Sequence, residues 1–405
     1  MVTEFSVQRA KPRLHGLDYL RGLSAFGIMI YHYSSWTFGE IESSSFLGRL
    51  GIYGVAIFYI VSGTALSHTY GSNLELTGTH LRAFYQKRLF RIFPLLWLAT
   101  VASIILSKQL PNMVDLFLNL SGLFGLFKWN VYFATGAWSI GNELAFYAVF
   151  PLLIFLINKC RGGLALFVAL SNFIFFYFAF YAFQSTVPLS KQWYLYTNPL
   201  NQLPFFLGGV LMGKYIKSAS SKPWNKLVIG FSSLLLFSFF PVHGTAIDLV
   251  SGLNRLFFSA CCFLICYSFY TQDSAHHLVD LPLRLLGQAS YSLYLLHPLI
   301  FAVTKVGFAL LSKSGLNVST TFVLLTSTLL SLLVSFLSYR YFERRFIRIG
   351  NSFIRPQHND WKDVALKLQQ HKAFIINYIK KGVTGPARLH LASYLGFSIS
   401  FETVS

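Results

Sequence analysis

The first apolar stretch of the chain carries two ionisable residues at a telling spacing. Arg21 and His32 lie eleven positions apart, between His15-Gly-Leu-Asp-Tyr-Leu-Arg-Gly and Ile30-Tyr-His-Tyr. On a helix they differ by only ~20° around the axis and stand about 16 Å apart along it. One face therefore carries a guanidinium near one end and an imidazole deeper in. Asp18 precedes Arg21 by one turn, which permits an ion pair. Ionisable groups inside an apolar segment are costly and tend to line a cavity or pathway. The plainer reading is a buried polar pair that only locks helices together.

Three other constellations add to this face. In Phe84-Tyr-Gln-Lys-Arg-Leu-Phe-Arg-Ile-Phe-Pro, Arg88 and Arg91 sit one turn apart, just before an apolar run that Pro94 opens. Two guanidiniums on one face suit phosphate, although they would also serve as an ordinary anchor at a membrane surface. Trp138-Ser139-Ile-Gly-Asn-Glu143-Leu-Ala-Phe-Tyr147 places Glu143 and Tyr147 on one face. A lone carboxylate at that depth needs a partner, for which His32 or an arginine is the natural candidate; a structural ion pair is the alternative. Ser290, Tyr294 and His297 recur at four- and three-residue spacing and form a polar stripe on a greasy helix. Structural hydrogen bonding explains that stripe as readily as chemistry does.

The elements that position these residues are membrane helices. The chain of 405 residues is 54% hydrophobic and 12% charged, about half the charged share of a soluble domain. Candidate spans cover 17–36, 48–69, 92–107, 138–158, 164–183, 200–216, 226–241, 253–270, 289–311 and 319–340. Each approaches the ~20 residues that cross a bilayer. The apolar stretch 112–127 reads as an interfacial or re-entrant segment. Arg9, Lys11 and Arg13 before the first run mimic a signal peptide, but Asp18 and Arg21 interrupt the run, so a retained first helix is expected.

With the N-terminus inside, the inner loops hold Arg82, Lys87, Arg88 and Arg91, then Lys159 and Arg161, then Lys214, Lys217, Lys222 and Lys226, then Arg284, and finally Arg340, Arg344, Arg345 and Arg348. The outer loops hold Lys108, Lys128, Lys191 and Lys313. This bias supports an all-α bundle of about ten transmembrane helices with both termini cytoplasmic. The net charge of +19 then points to lipid headgroups and anionic ligands rather than nucleic acid. Residues 1–348 form the transmembrane domain, and 349–405 a cytoplasmic tail in which Trp361–Lys380 suits an amphipathic helix. The four cysteines lack an accompanying His or acidic cluster, so buried, reduced thiols are expected and no metal site.

Taken in order, these motifs resemble the acyltransferase-3 family of membrane acyltransferases over about residues 14–346. Its Arg, ten residues, His signature matches Arg21 and His32, with Asp18 in place. Gly54-Val-Ala-Ile-Phe-Tyr-Ile-Val-Ser-Gly63 is similar to its second-helix block. Arg88, Arg91 and Pro94 match Arg-x-x-Arg-x-x-Pro, and Trp138-Ser139, Glu143, Tyr147 and Pro151 match its Trp-Ser-x-x-x-Glu element. Ser290-Tyr-Ser-Leu-Tyr-Leu-Leu-His-Pro and Tyr341-Phe-Glu343-Arg344 match the late blocks. Ala56 and Arg345 depart from it, standing where the family often has Asp and Pro.

The resemblance implies transfer of an acyl group, expected to be acetyl, from cytoplasmic acyl-CoA to a hydroxyl of an envelope or exported carbohydrate. It places the chain as a multi-pass protein of the bacterial cytoplasmic (inner) membrane, with no tightly bound cofactor. Arg88 and Arg91, with Arg21, would hold the CoA phosphates. His32, kept neutral by burial, would accept the acceptor's proton. Glu143 would orient the imidazole or steer the acceptor, with Asp18, Trp138, Ser139, Tyr147, Tyr294 and His297 as substrate or structural support. Direct transfer and an acyl-enzyme route both stay open. The rival classes are a transporter or flippase of an anionic lipid-linked sugar, marked by inverted repeats with broken helices, and an inactive envelope protein.

Overall fold

The computed structural model describes residues 14–71, 74–216, 223–270, 277–314 and 318–353, and all regular structure within them is helical. In chain order the α-helices are α1 (His15–Phe38), α2 (Phe46–Tyr70), α3 (Gly78–Ser107), α4 (Met113–Ser121), α5 (Phe124–Phe127), α6 (Ala137–Lys159), α7 (Arg161–Tyr177), α8 (Trp193–Tyr196), α9 (Pro199–Tyr215), α10 (Pro223–Phe239), α11 (Ala246–Val250), α12 (Gly252–Tyr270), α13 (His277–Gln288), α14 (Ser290–Lys313), α15 (Thr320–Leu337) and α16 (Arg344–Ser352). Short π-helical turns, Phe178–Ala182 and Ser338–Glu343, extend α7 and α15.

Every segment read as a span is helical, and seven helices are long and apolar enough to cross a membrane. The protein is therefore a polytopic helical membrane protein. Of the ten expected spans, those outside that seven are α1, which carries Asp18, Arg21 and two histidines, and the 17-residue α9 and α10. The stretch 112–127 folds as α4 and α5, of nine and four residues, each too short to cross.

Three expectations need correction. Helix α3 starts at Gly78 rather than near residue 92, so Arg88, Arg91 and Pro94 all lie within it. Cys160 is exposed, whereas Cys261, Cys262 and Cys266 are buried and free as expected. Asp18 and Arg21 form no ion pair with each other. The amphipathic helix read at Trp361–Lys380 lies outside the described residues.

Helix α2 is the centre of the bundle: 78% of its apolar window is buried, against 22% for α7 and 17% for α15. The two outer helices keep Phe173, Tyr181, Leu329 and Leu333 exposed, as a lipid-facing surface requires. Without a hydrophobic drive between helices in lipid, close backbone approach becomes the means of association. On α2 and α9 the glycines meet it directly. A Cβ on Gly63 would strike the carbonyl of Phe206, one on Gly209 the backbone of Ile60, and one on Gly213 that of Thr64. Arg49, 2% exposed, ties α2 to the end of α10 by donating Nε to Ser43 O (2.9 Å), one terminal nitrogen to Phe237 O (2.8 Å) and the other to Phe240 O (2.6 Å).

Candidate active site

Helices α1 and α14 lie side by side and bring His32 against His297. Their Nδ1 and Nε2 atoms are 2.8 Å apart. The two rings are inclined by 13° with centroids 5.1 Å apart. Nitrogens this close with centroids this far mean the rings meet edge to edge, through a hydrogen bond close to their common plane. The proton order follows from the neighbours. His297 Nδ1 lies 2.9 Å from Leu293 O, which only accepts, so Nδ1 carries a proton. In a neutral ring Nε2 is then the acceptor, and His32 Nδ1 must donate to it. That leaves Nε2 of His32 with a lone pair and no hydrogen-bond partner among the described residues. Tyr33 supports the pair, donating to His297 O at 2.9 Å while its oxygen lies 2.6 Å from Ser331 Oγ.

A second cluster forms where α2, α3 and α6 meet. Glu143 accepts from Ser62 Oγ (2.8 Å) and from the hydroxyl of Tyr147. The Tyr147 ring also lies under the Arg88 guanidinium at 5.6 Å, alongside Tyr70 at 5.7 Å and Phe84 at 5.8 Å. Such ring contacts hold a cation within cation–π range. Arg91 is within electrostatic range of Arg21, Arg88, Tyr147 and Glu143. Arg88 and Arg91 thus lie within electrostatic range of Glu143, and Arg21 shares a pocket lining with it. The Nε atoms of Arg21 and Arg88 are buried and have no hydrogen-bond partner among the described residues.

Arg21 lines a pocket beside Glu143, and Tyr294 separates that pocket from the histidine pair. The pocket is small, about 40 Å³, and is lined by Arg21, Glu143, Ser139, Tyr294, Tyr59 and Ser290, among others. Tyr294 also faces His297, with ring centroids 6.3 Å apart, and so stands between the cavity and the histidine pair. Its hydroxyl donates to Gly136 O (3.1 Å) and accepts from Ser139 Oγ (2.8 Å). Gly136, with φ of 82°, adopts the left-handed conformation that opens α6 and sets Ser139 and Glu143 in register.

The structure separates one expected partnership. Glu143 does not bond to the imidazole of His32; its partners are Ser62 and Tyr147, and the role of orienting His32 falls to His297. Trp138 is buried against Trp193 and Tyr196, at 5.8 and 5.4 Å, and supports the wall rather than lining the cavity. Asp18 packs its backbone against Gly287 on α13. Sequence reasoning missed Ser62, which reads as a small packing residue within an apolar helix, and gave no role to Glu343 of the late motif, which is 4% exposed and bonded to Ser292 within electrostatic range of Arg91 and Arg21. It also missed Trp36, stacked on His32. Among the described residues no group of three or more metal-binding side chains occurs.

Comparison with known proteins fits this geometry. The O-acetyltransferases OatA of Staphylococcus aureus strains NCTC 8325 / PS 47 and COL are each 26% identical over 369 residues, covering 82% of this chain. The chain spans only 56% of the length of these relatives. No solved structure matches. The acyltransferase-3 family model, described as an acyltransferase domain, matches residues 14–340, and the chain, with its arginines and paired histidines inside that match, belongs to this family.

Proposed function

We propose that the protein transfers an acyl group, acetyl in the first instance, from acyl-CoA to a hydroxyl of an envelope or exported carbohydrate. The observation that carries this reading is the order of hydrogen bonds Leu293 O, His297, His32, which leaves the outer nitrogen of His32 as a ready base. The relatives' name, O-acetyltransferase, supports the acetyl group and an oxygen acceptor.

The donor enters from the cytoplasmic side in this reading. Arg88 and Arg91, with Arg21, bind its phosphates, and the unengaged Nε of Arg21 and of Arg88 are available to it. The extended thiol arm then passes Glu143 and Tyr294 toward His32, and the pocket there, about 40 Å³ in this structure, must widen to admit it. There Nε2 takes the proton of the acceptor hydroxyl, the oxygen attacks the thioester carbon, the carbon–sulfur bond breaks, and the thiolate recovers the proton from His32. Glu143, held by Ser62 and Tyr147, balances the guanidinium cluster and sets its geometry. The topology consistent with this is ten crossings with both termini inside, in a bacterial cytoplasmic membrane.

The test uses the full chain in lipid nanodiscs with radiolabelled acetyl-CoA and a glycan-containing envelope fraction. Thiol release coupled to label on glycan, lost in His32→Ala at unchanged thermal stability, is the expected result. Equal thiol release by the wild type and His32→Ala would sink the assignment.

A further inference from the structure

We propose that Trp36 acts through His32: its indole face stabilises the positive charge that His32 carries while it holds the acceptor's proton. This rests on His32 being the base, as argued above. The indole lies almost parallel to the imidazole of His32, inclined by 7° with centroids 4.9 Å apart. It lies at 16° and 6.2 Å from His297. Because the two imidazoles meet edge to edge, one indole covers the same flat side of both.

The chemistry of the step makes this placement matter. His32 is neutral before the reaction and neutral after it. In between, the hydroxyl proton has moved to Nε2, the hydroxyl oxygen is bonding to the thioester carbon, and the carbon–sulfur bond has not yet released the thiolate that will take the proton back. A full positive charge exists on the ring only across that interval. In serine hydrolases a carboxylate behind the imidazole meets this charge. Here the group behind His32 is a second imidazole, and behind that a peptide carbonyl. No carboxylate bonds to either ring among the described residues. The indole supplies the missing negative potential through the quadrupole of its face, within the ~6 Å over which such contacts act. It interacts more strongly with the imidazolium than with the imidazole, so it favours the transition state over the ground state. Tyr31 and Tyr33 do not substitute for it, since their rings are tilted by 52° to His32 and 54° to His297. Trp36 remains 37% exposed, which would also suit a residue that merely anchors the helix at the bilayer surface.

Fluorination of the indole separates the two roles, because it drains negative potential from the ring face while barely changing its size. Mono-, di- and trifluorotryptophan are to be placed at position 36 alone, in the full chain in nanodiscs. The readout is thiol release from acetyl-CoA with water as the acceptor, whose proton His32 takes in the same way. The expected result is a stepwise fall in log kcat with each fluorine and a constant KM for acetyl-CoA. Trp36→Leu should lose about two- to 30-fold in kcat, with Trp36→Phe between. A rate that ignores fluorine number, in protein of unchanged thermal stability, overturns the inference and leaves the acyl-transfer reading intact. Absence of His32-dependent thiol release from the unsubstituted chain overturns the acyl-transfer reading and this inference with it.

Discussion

Replacing His297 tests the proton order of the site without touching the proposed base. In the structure His297 Nε2 accepts the proton of His32 Nδ1 over 2.8 Å, and His297 is 1% exposed. Leucine at this position keeps much of the volume but removes the acceptor. The buried N–H of His32 is then left unsatisfied, which costs about 1–3 kcal/mol. Either the ring turns to find another partner or the proton moves to Nε2, and in both cases the productive arrangement becomes the minor one. If that whole cost falls on the reactive state, kcat drops by about five- to 150-fold. Glutamine, whose side-chain oxygen can accept from Nδ1, should restore a large part of the loss. His32→Ala removes the base itself and should cost about 10²–10⁴. The assay is steady-state thiol release from acetyl-CoA by purified protein, with size-exclusion profile and melting temperature as folding controls. Full activity in His297→Leu would refute the proton order. Wild-type activity in His32→Ala, alongside an inactive His297→Leu, would move the base from α1 to α14.

Further expectations address the rest of the site and its scaffold. Arg88→Ala and Arg91→Ala should each weaken acyl-CoA binding by about 10- to 150-fold, the worth of a charge-assisted hydrogen bond, with a smaller change in kcat; calorimetric titration with CoA measures this, and unchanged affinity in the double variant would remove both residues from donor binding. Ser62→Ala takes one of two hydroxyl donors from Glu143 and should cost about 1.5–3 kcal/mol in stability or in transition-state free energy, to be read from melting temperature and kcat/KM together. Gly63→Val pushes a side chain into the backbone of α9 and should destabilise by about 1–3 kcal/mol or more, seen as early melting of the detergent-solubilised protein; a normal melting profile would mean that the α2–α9 contact is looser than described.

How much of this was legible in the sequence depends on the distance over which the signal acts. The apolar runs declared their helices because composition alone decides what can sit in lipid. The start of α3 escaped because residues 78–91 include His80, Arg82, Gln86, Lys87, Arg88 and Arg91, polar enough to read as a loop. The absence of Pro and Gly from 79 to 93 was the clue that this polar stretch continues the helix. Glu143 and Tyr147 were placed on one face by their four-residue spacing, and the structure bonds them. Asp18 and Arg21 had equally suitable spacing, yet they form no ion pair with each other in the structure. His32 and His297 are 265 positions apart, and no local pattern joins them. Each was recognisable alone as a polar residue on a greasy helix, but the hydrogen bond between them is a property of how α1 packs on α14.

The arginines show why the polar groups of this bundle need not all be read as locks. A buried guanidinium that serves only structure should have its donors engaged, because each unengaged one carries a desolvation cost. Arg49 meets that standard, with Nε and both terminal nitrogens bound to carbonyl oxygens. Arg255 meets it in part: its terminal nitrogens reach Val250 O and Asn201, and its Nε has no partner. Arg21 and Arg88 leave Nε buried and unengaged, and Arg88 faces the rings of Tyr70, Phe84 and Tyr147 rather than a carboxylate. Rings hold a cation without using up its hydrogen-bond donors. An arginine held this way stays in place and keeps its Nε for an anion that comes and goes, which a phosphate-bearing donor must do once in every turnover.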